Sequence, residues 1–256
     1  MPSISEIPLF FGSPNDKALF NPEHYLAHKE KEPLNSKLAV IVFNNDLFDK
    51  IEEKIERRLT RHINGSSDYD FVELFGKKIT FIKSGIGGPA SATIMEELIA
   101  LGIKKIVFMG YAGSLQDIAP GTIMIPTKAI RDEGTSYHYL EPSKFVEPTG
   151  SLKEKIIEIL EDKKIPFEKG ITWTTDAPYR ETIKKVRLFQ SEGVLSVEME
   201  AASLFAVAKF RGVEIAGIFW VSDKLKEEWE PHFTSQIIHN GLNNSIEVLF
   251  ELIKQI

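Results

Sequence analysis

The sequence predicts a three-layer α/β sandwich built on a central mixed, twisted sheet closed enough at one edge to resemble a distorted barrel. Three observations carry that prediction. Apolar runs of β-type residues alternate with stretches of helical period along the whole chain. Several of those runs, LAVIVF at 38–43 and VEIAGIFWV at 213–221 among them, are nearly continuous in apolar residues, as strands covered on both faces must be. With 256 residues and 43% hydrophobic content, the chain can form one large domain, residues 1–256, with an ample core.

Residues 1–36 read as irregular, punctuated by Pro8, Pro14, Pro22 and Pro33, with His24 and Tyr25 on a short surface helix. Strand 38–43 follows. Asn44 or Asn45 then caps a helix with acids early and Arg57, Arg58 and Arg61 late, as the helix dipole prefers. Residues 71–75 and 78–83 form a hairpin around Gly76-Lys77. The glycine-rich turn 84–88 leads into a helix through Leu101, with Pro89 suited to its first position. Strand 105–109 ends in the turn 110–114, and 121–126 and 127–132 continue the sheet. Residues 152–160 carry Leu152, Ile156, Ile159 and Leu160 at helical spacing. Strand 171–175 runs into Asp176-Ala177-Pro178-Tyr179-Arg180. Residues 194–197 and 213–221 are strands bracketing a helix at 199–211, which is apolar on several faces and stopped by Gly212. A final amphipathic helix occupies 235–255.

Composition excludes several classes. A formal charge of −6 argues against a nucleic-acid surface. The absence of cysteine removes disulfides, thiolate metal sites and a cysteine nucleophile. The first residues have neither a basic segment nor a long apolar core of the kind that directs secretion, and no run approaches the roughly eighteen apolar residues that span a bilayer. The expectation is a cytoplasmic protein without membrane or nucleic-acid partners.

Chemistry concentrates at 193–223. Glu198, Glu200 and Asp223 interrupt an apolar background, and acids are almost never buried without partners. Glu198 and Glu200 fall where a strand passes into a helix, and Asp223 falls at the carboxyl end of the next strand, where ligands bind in open α/β sheets. Each acid alone could be only a cap or a turn residue. Together they suggest a site that meets hydroxyl groups and a developing positive charge.

The run VEMEAA followed by VSD resembles the signature of the nucleoside phosphorylase and nucleosidase superfamily. The resemblance extends through SGIGGPASATIMEELIALGI, GYAGSLQDIAPGTIMIP and RDEGTSYHYL, which are most similar to the uridine phosphorylase branch, and covers roughly 38–255. It implies N-glycosidic cleavage of a nucleoside. Glu200 would accept from ribose hydroxyls, Met199 would pack under the sugar and Glu198 would contact base or ribose. Gly110, Tyr111, Ala112 and Gly113 would pass close to base and ribose, and Tyr179 would stack on the base. Ser222-Asp223 departs from the uridine branch and points to purine chemistry, with Asp223 as general acid to the leaving base. The resemblance also implies inorganic phosphate as co-substrate, no cofactor and no metal. It further implies a homo-oligomer, a dimer or a trimer of dimers, in which His24 reaches a neighbouring subunit's ribose. Two arginines that hold phosphate in the family are absent: Leu47 follows Phe43-Asn44-Asn45-Asp46, and Phe108 precedes Gly110. Arg61 and the turn at Gly87 and Gly88 are the remaining candidates, with Arg131 and Arg180 as further cations; close packing of helix on sheet explains the glycines equally well. Three readings stay open: a phosphorylase, a nucleosidase using water, and a non-catalytic nucleoside-binding member.

Overall fold

The computed structural model describes residues 7–28, 36–64, 67–226, 228–233 and 235–256, with the backbone alone for 59–64 and 67–70. Eleven strands form one sheet in the order β11-β10-β6-β8-β9-β5-β1-β4-β3-β2, with β7 paired to β6. In chain order these are β1 (Leu38–Val42), β2 (Arg57–Asn64), β3 (Ser67–Leu74), β4 (Lys77–Lys83), β5 (Lys105–Ser114), β6 (Ile123–Asp132), β7 (Phe145–Val146), β8 (Phe167–Thr175), β9 (Ser196–Glu198), β10 (Glu214–Leu225) and β11 (Trp229–Pro231). The helices are α1 (Pro22–His28), α2 (Asn45–Glu52), α3 (Gly88–Ala100), α4 (Leu152–Asp162), α5 (Ile183–Ser191), α6 (Ala201–Arg211) and α7 (Gln236–Gln255).

The layers follow from side-chain alternation along the parallel strands. Ala39 and Ile41 of β1, and Ile215, Phe219 and Val221 of β10, face a core shared with α1, α3 and α6. Leu38, Val40 and Val42, with Ala216, Ile218 and Trp220, face a second core shared with α2, α4 and α7. Both faces of these strands are covered, which is why their sequences read as unbroken apolar runs. Strands β4, β1, β5 and β10 run parallel, and β10 also pairs antiparallel with β6. Strand β6 runs parallel to β8, β8 parallel to β9, and β9 antiparallel to β5. Strands β5, β9, β8, β6 and β10 therefore close into a ring. The distorted barrel expected at one edge of the sheet is this ring, filled at one end by a third cluster of Leu115, Trp173, Val186, Phe189, Val197 and Leu225.

Helix α6 is buried from Ala201 through Ala208 and ends at Gly212 with φ 66°, a left-handed position that glycine adopts without strain. Two local expectations are corrected. The stretch Arg57–Asn64 is not the end of the α2 helix, which stops at Glu52; it is a strand paired antiparallel with β3 at the sheet's edge. Residues 110–114 are not a turn: β5 continues through Ser114 because β10 pairs with it along the whole stretch and β9 pairs at its end.

Candidate active site

The parallel strands deliver the chemistry-bearing residues to one cavity of about 590 Å³ at the carboxyl ends of β5, β9 and β10. Tyr111, Ala112 and Gly113 line it from β5, Glu198 and Met199 from the β9 end, and Ser222 and Asp223 from β10. Pro178, Tyr179, Glu181, Ile183 and Val186 close one side, and Trp229 and Phe233 another.

Asp223 owes its position to an irregularity. Val221 pairs with Ala112 and Asp223 with Gly113, so Ser222 is an extra residue in β10. Such bulges re-aim side chains. Here the Ser222 hydroxyl donates to Asp223 Oδ1 at 2.6 Å, and Trp229 Nε1 donates to Oδ2 at 2.8 Å. Strand β11 folds back to bring Trp229 there, pairing Pro231 with Asp223. Gly113 makes room, since a Cβ on it would stand 2.5 Å from Leu225 Cδ1 and 3.2 Å from Asp223 Oδ2.

Glu198 and Glu200 are each only 5% exposed, and they do different work. Glu198 Oε2 accepts from the amides of Glu200 (2.7 Å) and Ala201 (2.6 Å), satisfying donors at the start of α6 that have no partner within the helix. Its Oε1 accepts from the hydroxyls of Thr174 and Thr172 on β8. Burial pushes the Glu198 carboxyl up to about 7, against the pull of these donors. Glu200 Oε1 accepts from the Gly87 amide at 2.6 Å, linking the end of β9 to the start of α3. Burial, followed by the neighbouring charge of Glu198, pushes Glu200 up to about 8. Met199 lines the cavity; Glu200, the next residue, is not part of the lining.

The other expected residues divide. Tyr179 borders the cavity but is 99% exposed, and no ring among the described residues stacks on it. Gly110 stands outside the lining, with its Cα facing the Phe43 ring, where a Cβ would come within 3.1 Å. His24 is exposed on α1 and away from this cavity. Gly87 has φ 97°, and its amide is engaged by Glu200. At Gly88 a Cβ would fall 2.2 Å from Ser203 Oγ, so this glycine serves the close approach of α3 to α6. Arg61 lies on β2, and its side chain is outside the described residues. Arg131 is buried and spends its guanidinium on Ser136 Oγ, Ser143 Oγ and the carbonyls of Leu140 and Glu141, which removes it as a phosphate ligand. Arg180 is exposed. Among the described residues lining the cavity, Lys226 is the one cation.

Sequence reasoning missed Glu181, Trp229 and Phe233. Glu181 stands only two residues beyond Tyr179, but nothing in the spacing says that its side chain turns inward. Trp229 reaches Asp223 only through the β10–β11 pairing, which short exposed strands do not announce.

The fold and the sequence have known counterparts. Residues 37–256 match the phosphorylase superfamily model, and the chain belongs to that family. A guanosine phosphorylase of Halorubrum lacusprofundi is 30% identical over 181 residues, 70% of this chain and 72% of the relative. Among solved structures, purine nucleoside phosphorylase from Toxoplasma gondii in complex with immucillin-H superposes with a TM-score of 0.78 at 21% identity, covering 86% of this chain and 91% of the other. Uridine phosphorylase from Vibrio fischeri superposes at 0.76 with 22% identity, covering 86% and 93%. These two share the fold.

Proposed function

We propose that the protein is a nucleoside phosphorylase acting on purine nucleosides, exchanging the bond from C1′ to the base nitrogen for a bond to phosphate oxygen and releasing free base and ribose 1-phosphate. The observation that carries the reading is Asp223, held at the carboxyl end of β10 on the cavity wall, with a hydrogen bond on each oxygen. As the glycosidic bond breaks, the base gains negative charge, and a carboxylic acid beside its five-membered ring delivers the proton that neutralises it. The sugar meanwhile becomes cationic, and Glu200, adjacent to the cavity-lining Met199, takes the part that the family resemblance gives it, accepting from the ribose hydroxyls and stabilising that charge. Glu198 fixes the start of α6 and so positions Glu200. The guanosine phosphorylase similarity supports a purine substrate. The active form is expected to be a homo-oligomer, as the family resemblance implies.

Phosphate binding rests on groups other than the usual arginines. Asn44, the N-cap of α2 just beyond β1, carries a buried Nδ2 with no acceptor among the described residues, and the Lys83 ammonium reaches Asn45 Oδ1 beside it. These donors, with the amides of Gly85, Ile86 and Gly88 in the turn whose Ser84 and Gly87 amides are already engaged, supply an anion site. Water is the competing nucleophile, and the scarcity of cations at the cavity favours it. Titrating phosphate in an initial-rate assay with inosine and guanosine decides between them. A high phosphate requirement with slow hydrolysis in its absence is expected. Equal rates in phosphate-free and phosphate-saturated buffer would establish a nucleosidase instead.

A further inference from the structure

We propose that a second cavity, rimmed by lysines at the amino ends of β4, β1 and β5, binds a nucleoside di- or triphosphate, with the phosphates across the lysines and the base against an aliphatic wall. The cavity is separate from the candidate active site, and the inference does not depend on the reading of that site.

Strand β5 reaches the active-site cavity at its carboxyl end. At its amino end, roughly 25 Å away at about 3.3 Å per residue, lies the second cavity, of about 320 Å³. Its cations come from three neighbouring strands: Lys37 just precedes β1, Lys77 and Lys78 open β4, and Lys105 opens β5. Leu38, Ile79 and Ile253, members of the core under α2, α4 and α7, form its apolar wall together with Ile256.

Register places the charges around that wall. Leu38 is level with Ile79 on one side and with Lys105 on the other. Residues level in a sheet face the same way, as do residues two apart in one strand. Lys77 and Lys105 therefore stand on the α7 face with Leu38 between them, two strand spacings or roughly 10 Å apart. Lys37 and Lys78 fall in the opposite phase of the alternation and reach the cavity from its rim. One phosphate does not bridge that width, whereas a chain of two or three does, with the flexible lysine stems closing on it. The four ammonium groups make no ion pair among the described residues; Glu73 stands across the ladder from Lys78 but not within ion-pair distance. The other acids of neighbouring elements are engaged elsewhere. Glu56 accepts from the amides of Phe75 and Gly76, Glu214 from Ser151, and Glu251 from Lys254 and Gln255. Even with the carboxylate of Ile256 on the same wall, the lysines are in excess. Clustered like charges repel, and a bound polyanion relieves the repulsion.

The aliphatic wall says what the anion carries. An inorganic polyphosphate leaves Leu38, Ile79, Ile253 and Ile256 wet, while a ligand with a flat, weakly hydrated body buries them. Ser36 is the remaining polar side chain of the lining, and its hydroxyl is spent on the carbonyls of Leu38 and Lys78. The edges of the base therefore go unread, so adenine and guanine nucleotides are accepted alike.

The test is calorimetric titration of the whole protein with ADP, GDP, AMP and inorganic pyrophosphate, repeated on Lys77→Ala and Lys105→Ala. Both lysines lie outside the core, and unchanged melting temperatures show that the variants are folded; Lys77→Gln and Lys105→Gln take their place if they are not. ADP and GDP are expected to bind within a few-fold of each other. AMP should bind about tenfold more weakly, having lost one charge-assisted contact. Each substitution should weaken ADP binding at least about fivefold, and raising the salt from 50 to 200 mM should weaken it further. No binding of ADP or GDP by the wild type at millimolar concentration overturns the proposal. So does ADP binding that none of the substitutions changes, because the nucleotide then lies elsewhere. Pyrophosphate bound as tightly as ADP removes the base from the wall and overturns the nucleotide assignment.

Discussion

The ionisation of Glu200 governs how activity depends on pH. In the unliganded protein its carboxyl is raised to about 8 by burial and by Glu198, with the Gly87 amide pulling the other way. A carboxylate stabilises a cationic sugar only when ionised, so the active form exists above that value and is lost as pH falls through it. At pH 7 about one molecule in ten carries the charge, and at pH 9 about nine in ten, so kcat/KM is expected to be roughly tenfold higher at pH 9. Glu200→Gln keeps the shape and an acceptor for Gly87 but removes the charge. The loss should be roughly 10²-fold or more at pH 9. At pH 7 the same substitution should cost about tenfold less, because most of the wild type is already uncharged there. The assay is kcat/KM for guanosine from pH 6 to 9.5 in both proteins, with dianionic phosphate held at fixed concentration, since phosphate ionises in the same range. A 2′-deoxynucleoside should suffer less from the substitution, because part of the interaction is already missing. A wild-type to variant ratio that is the same at pH 7 and pH 9 would refute the reasoning, since it would mean that the charge state of Glu200 does not enter the transition state.

Three further outcomes are expected. Asp223→Asn should slow purine nucleoside cleavage by roughly 10²–10⁴-fold, and much less for a substrate whose leaving group needs no proton; an unaltered rate with inosine removes Asp223 from the mechanism. Gly88→Ala should destabilise the protein by about 2–5 kcal/mol in denaturant unfolding, because its Cβ displaces the Ser203 hydroxyl from its 2.6 Å bond to buried Glu133 while overpacking the α3–α6 contact. Because Glu198 and Glu200 are both raised in the folded state, the native protein holds protons there that the unfolded chain releases, so the contribution of these two groups to stability is fully present below about 4.5 and is lost as pH rises through about 7 to 8; melting temperatures of the wild type and Glu198→Gln from pH 6 to 9 check the sign, and the substitution should flatten the decline.

The layered fold was legible because buried parallel strands leave a plain mark in sequence: VEIAGIFWV can be little else. The position of Asp223 at a strand end, and the strand-to-helix passage through Glu198 and Glu200, were legible for the same reason. What was not legible depends on pairing across the chain. Arg57–Asn64 carries charges that suit a helix end, and only its β3 partner makes it a strand. The stretch 110–114 has the glycines of a turn, yet those glycines admit Phe43 and Asp223 against an extended backbone. Glu198 was expected to touch substrate, and it does line the cavity; its dominant bonds are to the amides of the next helix, a capping role that residue type alone does not separate from ligand binding. The pairing of Trp229 with Asp223 and the inward turn of Glu181 had no local signal at all.

The ring formed by β5, β9, β8, β6 and β10 also bears on how the cavity comes apart. An open sheet can fray from an edge, one strand at a time, but a closed circuit has no first strand to lose. The cavity takes residues from three of the five members, so opening it means breaking two ladders together. Amide exchange at 111–113, 197–199 and 219–223 should therefore occur only with unfolding of the whole ring, at one common rate. The β2–β3 hairpin at the sheet's far end can exchange much sooner, without disturbing a single group on the cavity wall.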